Sequence, residues 1–159
     1  MARSGSFGVN YKKSFGTDPA IVEAKLGDIG SDIDGEWIYV KAGAAVAQYA
    51  FVLISDAFVA TETSGASTIV QHVGVAQAAL LTNEFAWVWI GGPGGGGVGK
   101  GIKGKIAASY VANTPLLTTA ASGVADDAGS TTIKNVSATT LTTTAANVEL
   151  KSTGYLTLN

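Results

Sequence analysis

Residues 35–92 constrain the fold of this chain more than any other stretch. They read GEWIYVKAGAAVAQYAFVLISDAF and, further on, VGVAQAALLTNEFAWVWIGG. Short runs of β-branched and aromatic residues alternate with alanine, glycine and polar turns, a pattern of strands rather than helices. Asp34-Gly35 is a turn signal, and WIYVK follows it directly. Further strands are expected over residues 49–54 (YAFVLI), 58–61 (FVAT), 68–76 (TIVQHVGVA), 85–90 (FAWVWI) and 105–112 (KIAASYVA). A period of two puts Phe85, Trp87 and Trp89 on one face, with Ala86, Val88 and Ile90 on the other. A strand apolar on both faces is buried on both. One face is therefore expected against the domain core and the other against a partner subunit.

Threonine and valine carry the strand pattern through the C-terminal third, with Ser122-Gly123, Asp126-Asp127 and Ala128-Gly129 as turns. Residues 137–147 are rich in alanine and threonine and also allow a helical turn. Many short strands separated by turns make an all-β domain, a small β-barrel or β-sandwich. No period of about 20–50 residues marks a repeat array. Residues 91–104 read GGPGGGGVGKGIKG, in which nine of fourteen residues are glycine. Such a segment is expected to be a flexible loop that packs nothing.

Residues 1–34 read as an extended N-terminal arm ahead of a compact β domain over 35–159. Phe7, Tyr11 and Phe15 recur every four residues, but the glycines between and around them oppose a stable helix. Only residues 19–26 (PAIVEAKL) suit a short helical turn. A frayed, disordered terminus is one reading; the other, favoured because aromatic rings are costly to leave in water, is an arm whose three aromatics anchor on a neighbouring subunit.

Composition narrows the function. Charged residues make up 14% of the 159 residues, against roughly 25% in an ordinary domain. A surface with so few charges is weakly protected against self-association; either much of it is buried against partners or it is a Thr/Ser/Gly surface, and with threonine crowding the C-terminal third some of both is expected. The net charge of −2 gives no electrostatic footprint for nucleic acid. With no cysteine, thiolate and disulfide chemistry are excluded. Neither a secretory h-region nor an apolar run long enough to span a membrane is evident.

Three motifs invite chemistry, and none sustains it. Residues 94–100 (GGGGVGK) satisfy the phosphate-loop spacing after a strand, but Gly101 stands where the magnesium-binding hydroxyl belongs, and no helix follows. The bland alternative is a wet loop carrying Lys100, Lys103 and Lys105, of which Lys100 and Lys103 are candidates for meeting an acidic partner surface. Asp28, Asp32, Asp34 and Glu36 resemble half a calcium loop without its distal glutamate and read as solvated turn carboxylates. His72, the single histidine, is expected beside Val70 on one strand face, with no G-x-S-x-G elbow to partner it. No enzyme activity, metal or cofactor is expected.

The order of pieces resembles that of head decoration, or capsid cement, proteins of tailed bacteriophages. The pieces are GDIG…DGEWIYVKAGAAVAQYAFVLI, VGVAQAA…NEFAWVWIGG, PLLTTAASGVADD and TTIKNV, spanning about residues 25–136. The likeness is one of texture and order, without an invariant motif, and the glycine insert at 91–104 departs from it. It implies a virion structural protein on the outer surface of an icosahedral capsid, bridging major capsid protein subunits, often as a homotrimer. No individual site residue is implied. A carbohydrate-binding β module of a virion surface or tail is the alternative, with Trp37, Trp87 and Trp89 as a stacking platform for sugars.

Overall fold

Glycine at position 35, with φ 126°, turns β1 (Ile29–Asp32) back onto β2 (Gly35–Ala42) in an antiparallel hairpin. The sheet thus begins inside the segment expected to be an arm. In the computed structural model, residues 9, 14–18, 24–66 and 72–159 are described. Among them the chain is all-β. After the hairpin come β3 (Phe51–Ile54), β4 (Val59–Glu62), β5 (His72–Ala76) and β6 (Phe85–Gly91). Then follow β7 (Lys103–Ile106), β8 (Leu116–Thr118), β9 (Ala125–Asp126), β10 (Thr132–Ala138) and β11 (Ala146–Leu158). The run expected over 105–112 ends at Ile106, because the chain turns there and Ser109 takes φ 69°. Residues 139–145 form a loop, not a helical turn. Residues 19–23 lie outside the described residues, and Leu26-Gly27 is a turn.

The eleven strands form one mixed sheet whose pairings trace two five-strand circuits, ring-like but not a clean barrel. The first runs β2–β4–β3–β5–β6 and back to β2. The second runs β7–β9–β8–β10–β11 and back to β7. In each, one short link is parallel (β2–β4 and β7–β9) and the other pairs are antiparallel. Single register pairs, Thr157 with His72 and Tyr155 with Gly91, join β11 to the first circuit.

The expected alternation in β6 holds, but both faces are buried within one chain. Ile38, Val40, Ala42, Val52, Ile54, Ala60, Ala76, Ala86 and Val88 gather into one core, closed by Val46, Ala50 and Leu80 from the loops. Phe85, Trp87 and Trp89 on the opposite face join Trp37, Tyr39 and Phe51 in a second core, shared with Ile106, Leu116, Leu150 and Leu156 of the second circuit. The face assigned to a partner subunit is thus covered by the chain itself. Large apolar side chains stabilise by about 1.5–3 kcal/mol each when fully buried, so neither face is available for exchange.

A short internal duplication is also present, which falls short of a repeat array. Residues 42–51 (AGAAVAQYAF) and 76–85 (AQAALLTNEF) align at an offset of thirty-four positions, and their backbone bonds are reciprocal. Val46 N–H donates to Leu80 O (2.9 Å) and Leu80 N–H to Val46 O (2.8 Å). Tyr49 N–H donates to Ala76 O (2.7 Å) and Asn83 N–H to Ala42 O (2.8 Å). Tyr49 and Asn83 both adopt the left-handed conformation, at φ 66° and 68°. The second circuit repeats the device: Asn113 (φ 63°) donates to Ala138 O, and Thr142 N–H to Tyr110 O. The loop latches correspond too, since Ala47 N–H donates to the Glu62 carboxylate and Val111 N–H to that of Asp127.

Candidate interaction surfaces

The glycine segment is built into the fold rather than flexible. Gly96 N–H donates to Asp34 O (2.9 Å), Gly97 N–H to Leu150 O (2.7 Å), and Ser152 Oγ–H reaches Gly92 O (2.7 Å). Gly91 and Gly95 are buried, and Gly96 bridges Lys151 on β11. Glycine is required here by close approach: a Cβ on Gly96 would lie 2.2 Å from Leu150 O. Ile102, just beyond, is fully buried.

The phosphate-loop spacing fails in three dimensions for a further reason. Glu149 sits where an anion would be cradled, accepting from Gly99 N–H (2.9 Å) and Gly101 N–H (3.3 Å). The chain's own carboxylate fills the turn. Sequence reasoning missed Glu149 because its role is set by the register of β11 against β7, which places it opposite Lys103.

Of the five candidate contact residues, the three described ones, Phe15, Lys100 and Lys103, sit on different segments of the chain. Phe15, half-buried, packs on Tyr39 with ring centroids 5.9 Å apart, and its N–H donates to Phe85 O (2.8 Å). Phe85 N–H returns a bond to Gly16 O. Phe15 is thus seated on its own sheet against Tyr39, whose ring in turn contacts Phe85 and Trp87. Phe7 and Tyr11 lie outside the described residues. Lys100 is exposed at the glycine loop, and its Nζ donates to Ile33 O (3.3 Å). Lys103 lies on β7, where its backbone makes a two-point contact with the Gln77 amide: Gln77 Nε2 donates to Lys103 O, and Lys103 N–H to Gln77 Oε1.

At the end held by the glycine loop, the β1–β2 turn and the loop tip present Ile33 and Val98, exposed to 80% and 79%. Two grooves open on the second circuit. One, of 480 Å³, lies between the threonine-rich loop 139–144 and Lys103, Val148 and Glu149. The other, of 330 Å³, lies over β10 and β11, beside the loop at residues 113–115.

Trp37 and Trp89 are fully buried and Trp87 nearly so, which removes the tryptophan platform proposed for sugar stacking. Trp89 Nε1–H instead donates to Asp34 O (2.9 Å). Asp28 accepts from Lys25 N–H, and Asp32 from Asp34 N–H, as turn carboxylates do. Asp34 differs from expectation in being buried. His72 is exposed at the start of β5, and Val70 lies outside the described residues. Among the described residues, no group of three His, Cys, Asp or Glu side chains is placed to hold a metal ion.

One carboxyl and one phenol are perturbed. Burial pushes the Asp126 carboxyl above its ordinary value; the Asp127 N–H opposes this and the Asp127 carboxyl adds to it. Tyr155 is held above its ordinary value by donating its hydroxyl proton to Glu36 Oε2 (2.5 Å). No protein-family description, curated protein or solved structure matches the chain.

Proposed function

We propose that this chain is a virion structural protein that decorates an icosahedral phage capsid from outside and bridges major capsid subunits as a homo-oligomer, a homotrimer by the sequence resemblance. The resemblance supplies the identity of the partner. The observation that carries the docking mode is the end formed by the β1–β2 turn and the glycine loop.

There, Ile33 and Val98 project into water from a backbone held by the Gly96–Asp34 and Gly97–Leu150 bonds. An apolar side chain that solvent surrounds and a rigid backbone presents is pre-organised for a contact, since little ordering entropy remains to be lost on docking. Lys100 beside them adds a positive charge able to meet an acidic capsid surface. Summed over many copies, weak contacts of this kind stabilise a shell through avidity.

The test is cosedimentation with shells of the major capsid protein from the same genome. Wild-type protein is expected to bind and the Ile33→Asp, Val98→Asp double variant to lose binding while keeping its melting temperature. Equal binding by the two would remove this end as the docking surface. Absence of binding by wild type would remove the capsid reading.

A further inference from the structure

We propose that the groove over β10 and β11 is a binding site for an acidic saccharide, a sugar unit carrying a carboxylate, sulfate or phosphate. The proposal is independent of the capsid reading. It starts from a comparison of the two circuits. In the first, Val75 pairs with Trp89 and Ala76 with Val88. In the second, sixty-two positions on, Ser137 pairs with Lys151 and Ala138 with Leu150. The inward pairs are apolar in both. The outward pair of the first circuit is fully buried in the shared core. The outward pair of the second lines an open groove.

The groove's chemistry is specific. Lys134 and Lys151 supply two ammonium groups, and no carboxylate lines the site. Neither lysine makes an ion pair with a described residue, nor do the side chains of Ser137, Thr132, Thr153 and Asn113 hydrogen-bond to one. In a chain of net charge −2 this is a local concentration of unpaired donors. The β-bulge between Lys134 and Val136 re-aims the strand there, with Asn135 at φ 64° and its amide anchored on Tyr155 O (2.8 Å). Pro115 and the lysine stems add apolar surface. Two cations fit one anionic substituent, hydroxyl and amide groups fit ring hydroxyls, and 330 Å³ accommodates a sugar unit or two. Two lysines are too few to track a nucleic-acid backbone.

The experiment is heteronuclear NMR titration of the full chain with three probes: trigalacturonate, neutral galactotriose and inorganic phosphate. Trigalacturonate is expected to shift the amides of Lys134, Ser137, Lys151 and Thr153, and to bind at least tenfold tighter than either other probe. The Lys134→Ala, Lys151→Ala double variant is expected to lose that binding at least tenfold with an unchanged melting temperature, and Lys151→Arg to keep it. Both lysines are exposed, so folding is not at stake. Equal affinity for phosphate would overturn the saccharide assignment. Shifts elsewhere, or binding indifferent to the double variant, would overturn the site.

Discussion

Replacing Gly96 with alanine separates a built loop from a flexible one. Gly96 has φ 62°, and an added Cβ would sit 2.2 Å from the Leu150 carbonyl oxygen. The conformation alone costs about 1–2 kcal/mol for a residue with a Cβ. The carbonyl cannot swing aside as a flexible side chain would, because it already accepts the Gly97 N–H at 2.7 Å. Relieving the clash therefore disturbs that bond and the Gly96–Asp34 bond, each worth about 0.5–1.5 kcal/mol net. The expected loss is about 2–5 kcal/mol, or roughly 5–15 °C in melting temperature for a domain of this size. Gly94→Ala is the matched control, since Gly94 has φ 70° and nothing within 4 Å of its Cβ position. It should lose only the conformational part, about 1–2 kcal/mol. Urea denaturation followed by tryptophan fluorescence measures both. If the two variants lose the same stability, the close approach contributes nothing and the loop is not a packed element.

Three other outcomes follow from the same contacts. Glu149→Ala leaves the Gly99 and Gly101 N–H groups without their acceptor; both amides should exchange faster with solvent, with a stability loss of about 1 kcal/mol. Deleting residues 1–18 removes the Phe15 ring from Tyr39 and both backbone bonds to Phe85, so the remaining domain should lose about 2 kcal/mol; an unchanged urea midpoint would show that the segment does not brace the sheet. Asp126 is raised by burial, so the unfolded carboxyl ionises first as pH rises. Its contribution is then full below the ordinary value of 3.8 and declines as pH climbs through the raised value. The Asp126→Asn variant should lack that decline in a pH series of urea midpoints.

What was legible in the sequence was what alternation decides locally. Phe85, Trp87 and Trp89 against Ala86 and Val88 could be sorted by face because the period of two acts within a few residues. What covers each face was not, since that depends on Leu150 and Leu156 arriving from the end of the chain. The glycine loop was misjudged for the same reason. Glycine signals flexibility in isolation, yet here its missing Cβ admits a carbonyl more than fifty positions away. The duplication is faint in the sequence because only Ala42/Ala76, Ala44/Ala78, Ala45/Ala79, Val46/Leu80 and Phe51/Phe85 retain it. The left-handed positions Tyr49 and Asn83 match in backbone but not in residue type. Lys134 and Lys151 share a groove only through the β10–β11 register, which the bulge at Asn135 shifts.

The two circuits share a topology and divide its faces differently, and this limits where the molecule can meet anything else. Among the described residues β1 has a single strand partner and β10 beyond Ile133 pairs with β11 only, so sheet extension is confined to those two edges. The first circuit commits its outer face to holding the second: Phe51 and Leu150 close on Gly104, where a Cβ would fall within 2.9 Å of both. Residue 89 is accordingly tryptophan and residue 75 valine. In the second circuit the equivalent positions, Lys151 and Ser137, line an open groove instead of a core, Lys151 exposed and Ser137 half-buried. Polar residues there cost the fold nothing, which makes them the positions on which selection for a ligand can act without loss of stability. The apolar tips Ile33 and Val98 are free of packing too, but they carry an unfavourable exposure that only a contact removes. The second circuit's outer face and the glycine-loop end are therefore separable, and a variant that abolishes binding at one should leave the other intact.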